Sequence, residues 1–170
     1  MNMTKANKAL ATRWFEEVWN KGRRDAIAEM LLPNAVIYES CQAIRGPEGF
    51  YPFFDRMQAT FSDIHVSFQD AIAEGDRVVL RWSVSMRHTG DGLGVPPTEK
   101  LVTTSGISVL RIAGDKFIEG WQNWDMLGLM QQIQGAGLGP TYHDVNATLD
   151  QMFREKRGEP FSRRACVGAG

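Results

Sequence analysis

Residues 77–88, RVVLRWSVSMRH, alternate so strictly that they leave little choice of fold. Val78, Leu80, Trp82, Val84, Met86 and His88 fall on one side of an extended chain, and Val79, Arg81, Ser83, Ser85 and Arg87 on the other. Twelve residues in extended form span ~40 Å. A strand this long with one apolar face has to sit in a sheet that covers a core on one side. The same period of two runs through DIHVSFQDAIA, where Ile64, Val66 and Phe68 alternate with His65, Ser67 and Gln69. Glu74-Gly75-Asp76 then supplies the turn. LVTTSGISVLRI follows after a Gly- and Pro-rich loop, and KFIEGWQNWD follows the Ala113-Gly114-Asp115 turn.

Before Ser62-Asp63 the period is that of helices. Thr4 is placed to cap a first helix, in which Leu10, Trp14, Phe15, Val18 and Trp19 recur at helical spacing and which Gly22 stops. Asp25 is placed to cap a short second helix, AIAEMLL, closed by Pro33. AVIYES reads as a short strand. Gly46-Pro47 opens a third helix with Phe50, Phe53, Phe54, Met57 and Phe61 on a wide apolar face. The order predicts an α+β fold: a strongly curved antiparallel sheet, cone-shaped, wrapped around three N-terminal helices. The strand LVTTSGISVLRI is apolar or small on both faces, which predicts a homodimer through the sheet face. Residues 1–134 then form the domain. Residues 135–170, opening on GAGLGP, form a C-terminal extension with a linker and one more helix.

Partners are narrowed mainly by what the chain lacks. Net charge is −1, and no basic stripe or RNA-binding motif appears, which argues against nucleic acid. No run approaches the ~18 apolar residues of a membrane span, and MNMTKANKAL has no apolar leader core. Cys41 and Cys166 stand far apart with no ligand spacing, so both are expected as free thiols in the cytoplasm. His65, His88 and His143 have no metal-ligand spacing, and no metal is expected. GAGLGP imitates part of a dinucleotide fingerprint but follows a helix outside any βαβ unit, so it is a linker. Asn146-Ala-Thr148 matches a glycosylation acceptor without a secretory signal to give it meaning.

Five Trp, nine Phe and eight Met supply enough polarizable apolar surface to build a core and also line a cavity for a flat ligand. Against that background four residues are candidates for chemistry. His88 ends the apolar face of its strand, just before the glycine-rich loop. It is either a proton-handling group at a cavity rim or a histidine satisfied by loop backbone. Asp125 lies between Trp124 and an apolar helix. It is either a desolvated acid/base or that helix's N-cap. Tyr38 and Glu39 are neighbours on one strand, so alternation sends one inward and the other outward. Phe54, Met57, Trp82, Met86 and Trp124 are candidates to hold a ring, with Ser108 and Gln122 as polar contacts.

Residues 12–133 resemble the SnoaL-like polyketide cyclases, a branch of the nuclear transport factor 2-like fold. The likeness rests on RGPEGF, GDRVVLRWSVSMRHTGDGLGVPPTEK and SGISVLRIAGDKFIEGWQNWDMLGLMQQI. It implies a cofactor-free oligomeric enzyme with a pocket for aromatic or polycyclic molecules. In those cyclases an aspartate on the last strand exchanges protons with an activated carbon, helped by a histidine and a glutamine on the preceding strand. Carried over along the hairpin, the three fall on Gln122, Ser108 and Gly106, and none is kept. His88 and Asp125 stand where relatives also carry His and Asp.

The expectation is therefore a cofactor-independent enzyme acting on an aromatic or polyketide-like molecule by proton transfer. Its reaction is an aldol or retro-aldol cleavage, dehydration, isomerisation or cyclisation, leaning towards a lyase. Asp125 or Glu39 would be the base, and His88 or Tyr38 the donor. The alternative is a non-catalytic binding protein that uses the same cavity; an oligomerisation module fits the aromatic interior less well.

Overall fold

The computed structural model describes residues 3–39 and 42–135. Cys41 and the expected C-terminal extension, with its helix, His143 and Cys166, lie outside the described residues. In chain order the elements are α1 (Met3–Trp14), a π-helical turn (Phe15–Asn20), α2 (Ala26–Met30), β1 (Leu31–Glu39) and β2 (Gln42–Arg45). There follow α3 (Gly46–Thr60), β3 (Phe61–Glu74), β4 (Arg77–His88), β5 (Leu101–Ala113), β6 (Lys116–Trp124) and α4 (Met126–Gln134).

The six strands form one curved, unclosed sheet in the order β2-β1-β6-β5-β4-β3. Neighbours are antiparallel except β1 and β6, which run parallel. The sequence predicts a wholly antiparallel sheet because hairpin turns are visible in it. The pairing of β1 with β6 joins segments separated by the whole of β2 to β5, and no turn announces it. β4 buries the face set by its alternation, Val78 to His88, while Ile72 and Arg77 on the other side of the sheet are exposed. No helix among the described residues is long and apolar enough to cross a membrane.

The second helix is shorter than AIAEMLL. α2 ends at Met30, and Leu31 and Leu32 already belong to β1. Pro33 sits inside the strand, where its missing N–H interrupts the ladder. The register with β6 accordingly shifts between Leu31 and Val36. Asp25 does not cap α2 through its side chain, because Arg23 Nη2 donates to its carboxylate at 2.7 Å.

The helices pack on the concave side of the sheet through rings. Trp14 meets Phe50 at 5.3 Å and Phe117 at 5.7 Å, edge to face, and Phe15 meets Phe68 at 5.4 Å. The π-helical turn widens the helix to more than four residues per turn, so Phe15 and Trp19 project from one side. Asn20 ties that turn to the sheet. Its amide donates to the Val66 carbonyl at 3.2 Å and accepts the Val66 N–H at 2.6 Å, as a paired strand residue would.

Candidate active site

The aromatic residues on the turn, α3 and the sheet do not fill all the space between them. A cleft of about 50 Å³, partly open to solvent, is walled by Phe15, Trp19, Phe53, Met57, Trp82, Met86 and Trp124, with Ile64, Val66, Val84 and Gln122. That volume lies well below the ~300–1,000 Å³ of typical small-molecule pockets, so a ring would have to displace wall side chains to enter. None of these walls carries a titratable side chain, and the only polar side chain apart from the indole N–H groups is the Gln122 amide.

At Gln122 the structure places a row of polar groups in register across three strands, which Trp82 on β4 joins diagonally. Ser108 on β5 faces Gln122 on β6, and Gln122 faces Glu39 on β1. The Trp82 indole Nε1–H donates to Ser108 Oγ at 2.9 Å. The Ser108 hydroxyl donates to Gln122 Oε1 at 3.2 Å, and Gln122 Nε2 donates to Glu39 Oε2 at 3.0 Å. The other Glu39 oxygen accepts the Trp124 indole N–H at 2.6 Å. A buried carboxyl thus lies one hydrogen bond behind two cavity walls, Gln122 and Trp124. Glu39 is 9% exposed and Ser108 is fully buried. Leaving such groups unpaired would cost about 1–3 kcal/mol each, so the row is held as a set.

Gly106 makes the row possible. It pairs with Trp82 on one side and Trp124 on the other. A Cβ at this position would stand 2.5 Å from Trp82 Cζ2, 2.6 Å from the Asn123 carbonyl oxygen and 2.9 Å from Trp124 Cβ. The absent side chain gives the Trp82 indole the space from which it reaches Ser108.

The remaining candidates are placed as follows. Tyr38 is on the opposite face of the sheet from Glu39, 37% exposed and stacked on Trp121 with ring centres 5.7 Å apart. Asp125 is exposed, and its Oδ1 accepts the Gly128 N–H at 2.8 Å, which makes it the N-cap of α4. His88 is wholly buried rather than at a rim, with its ring 5.7 Å from that of Phe61. Its Nδ1 accepts the Thr98 N–H at 3.3 Å and lies 3.1 Å from Thr98 Oγ1, which puts the ring proton on Nε2. Among the described residues Nε2 finds no hydrogen-bond partner. Phe54 is 3% exposed and packs against Trp19 at 5.6 Å, in the core and not on the cavity wall. Met57, Trp82, Met86, Gln122 and Trp124 line the cavity; Ser108 supports it from behind.

Phe15, Trp19 and Phe53 are walls that sequence reasoning assigned only to apolar helix faces. The spacing of Phe15 and Trp19, four residues apart, was a usable signal, but it cannot separate a core from a cavity. Among the described residues, no three His, Cys, Asp or Glu side chains stand close enough together to hold a metal ion.

Residues 9–133 match the SnoaL-like polyketide cyclase family over most of the chain. The chain belongs to that family. It is 29% identical over 122 residues to the aklanonic acid methyl ester cyclase DauD of Streptomyces sp. (strain C5), covering 69% of this chain and 75% of that one. The likeness to the aklanonic acid methyl ester cyclase DnrD of Streptomyces peucetius is also 29%, over 124 residues, covering 69% and 83%. A solved structure from Jannaschia sp. CCS1, assigned to the SnoaL-like polyketide cyclases, superposes with a TM-score of 0.74 at 26% identity, covering 81% of this chain and 97% of its own.

Proposed function

We propose that this family member is a cofactor-independent enzyme that moves protons on an uncharged aromatic or polyketide-like molecule held in the cavity, with Glu39 as the base. The observation that supports this most directly is the buried Glu39 carboxyl, held by Gln122 and Trp124 directly behind a wall that itself carries no charge. Desolvation of that kind suits a carboxyl to general-base work. For this the bound molecule has to displace Gln122 or Trp124 from the carboxylate. Glu39 then takes a proton from a carbon next to a carbonyl, and the C–H electron pair moves onto the carbonyl oxygen as an enolate. The enolate carbon attacks a second carbonyl of the same molecule, the C–C bond forms, and Glu39 returns the proton to the new alkoxide oxygen. Atoms balance without any co-reactant. Gln122 keeps one amide hydrogen beyond the one given to Glu39 and faces the cavity, so it would donate to the enolate oxygen.

The reverse direction uses the same groups. Glu39 takes a hydroxyl proton, the C–C bond breaks, and the proton returns to the released carbon. Gly106, Ser108 and Gln122, standing where the resemblance places a cyclase's glutamine, histidine and aspartate, favour this lyase reading as the second one. Mass spectrometry separates the two. The purified protein would meet aklanonic acid methyl ester, aryl β-hydroxy ketones and aryl propane diols beside its Glu39→Gln variant. Ring closure leaves the mass unchanged with a new retention time, and cleavage gives two fragments. Binding without either product across the panel would replace the enzyme with the binding-protein alternative.

The outer face of the sheet supports a homodimer. Ile72, Val79, Val109, Trp121 and Tyr38 form one apolar row in register across five strands, with Ile107, 48% exposed, beside it. Val109→Arg is expected to halve the mass measured by light scattering. A variant of unchanged mass would remove this interface.

A further inference from the structure

We propose that Trp82, Ser108 and Gln122 are positioning residues that form a one-way hydrogen-bond relay and fix the Glu39 carboxyl directly behind the cavity wall. The proposal rests on the reading of Glu39 as the base, which it deepens.

The direction of the relay follows from the chemistry of its first member. An indole nitrogen can only donate, so Ser108 Oγ must accept from Trp82. The single Ser108 proton is then left for Gln122, which must turn its carbonyl oxygen to the serine. The Gln122 NH₂ is thereby aimed at Glu39, which can only accept when ionised. No other amide orientation satisfies all three links, so the network itself decides the Gln122 flip. Trp124 donates from the other side, and the carboxyl is gripped through both oxygens. Gly106 belongs to the same unit, since any side chain there displaces the indole that starts the relay.

This logic makes the carboxyl and the amide exchangeable. In the double variant Glu39→Gln/Gln122→Glu, the serine would donate to the new carboxyl on β6. The new amide on β1 would donate to the same carboxyl and accept the Trp124 N–H. Every donor keeps an acceptor, while the proton acceptor moves one strand along the wall.

Two readouts test the relay in the full-length protein. The first is the indole N–H resonances of Trp82 and Trp124 in ¹H–¹⁵N spectra without ligand. The second is solvent deuterium entering the activated carbon of methyl benzoylacetate, followed by mass spectrometry. Ser108→Ala should move the Trp82 resonance upfield and also shift that of Trp124, although alanine touches neither Trp124 nor Glu39. Deuterium uptake should fall roughly tenfold in kcat at constant KM, the size of one lost hydrogen bond. Ser108→Thr, which keeps the hydroxyl, should restore both. The double variant should exchange deuterium faster than Glu39→Gln alone.

A Trp124 resonance unmoved by Ser108→Ala overturns the relay, whatever the turnover. Glu39→Gln exchanging deuterium as fast as wild type removes the base reading, whatever the spectra. If Ser108→Ala does not fold, the wild-type Gln122 side-chain amide decides: slow proton exchange supports the relay, and exchange as fast as a surface glutamine overturns it.

Discussion

Two carboxyl groups flank Trp124, and the molecule treats them in opposite ways. Asp125 is its neighbour along the chain, yet it points out of the sheet and holds the first turn of α4. Glu39 is 85 residues away in sequence, yet it accepts the Trp124 indole N–H at 2.6 Å. The difference lies in what ends each strand. β6 stops where its backbone turns into a helix, and helix N-termini with their unpaired N–H groups claim the nearest acceptor. β1 brings Glu39 alongside Gln122 through parallel register, on the face that alternation directs to the core. A carboxyl joined to an indole by sequence became a helix cap; one joined by sheet register came to lie directly behind the cavity wall.

The largest expected effect tests this contrast directly. Glu39→Gln should lower turnover by ~10²–10⁴-fold, the usual worth of a general base. Asp125→Asn should stay within about twofold, because asparagine caps a helix as well as aspartate does. Kinetics on both variants, with circular dichroism to show the fold intact, would check it. The opposite pattern would return Asp125 to the chemistry and make Glu39 a structural carboxyl.

The same contrast explains how far the sequence could be read. Strands β3 to β6 and the N-cap potential of Asp125 are local patterns, set by alternation and turn residues within a few positions. They appear in the structure nearly where the pattern puts them. Tyr38 and Glu39 could be told apart only by knowing which face of β1 is inner. That depends on a parallel pairing with a strand near the other end of the domain, interrupted by Pro33. Ser108 and Gln122 were visible as polar residues on inner faces, but their direct pairing is a matter of register. Gly106 reads in sequence as a weak point in a strand, and its meaning comes from the Trp82 ring lying over it.

A second test sharpens the contrast from the neighbouring strand. Gly106→Ala sets a methyl against the Trp82 ring, the Trp124 Cβ and the Asn123 carbonyl, and of these only the Trp82 ring can yield without moving the backbone. Overpacking of this kind costs about 1–3 kcal/mol, readable as a lower midpoint in urea with an unchanged slope. Glu39-dependent turnover should fall as well, because the start of the row is displaced. At the Asp125 end, Asp125→Ala should cost ~1 kcal/mol of stability and leave turnover alone. If the alanine variant loses activity in proportion to stability, the two ends are coupled and the contrast fails.

The smallest effect sets the pH range over which these comparisons can be made. Glu17 accepts from Lys21 Nζ and Arg23 Nη1, each at 2.7 Å, and those donors hold its carboxyl below the usual value of 4.5. Arg23 does the same for Asp25, and Arg111 for Asp76, each below 3.8. A carboxyl whose value is depressed in the folded state contributes stability that is complete above its unfolded value and fades as pH falls through the folded one. The loss therefore belongs below about pH 4. It should be modest, because Asp25, Asp76 and the cations that pair with Glu17 lie at the surface and are screened by salt. Glu17→Gln should flatten part of that acid limb, so that its unfolding curve converges with wild type as pH drops. Above this window these pairs contribute a constant stability, so turnover compared at neutral pH is not distorted by them. If turnover there survives in Asp125→Asn and is lost in Glu39→Gln, the working carboxyl is the one on β1.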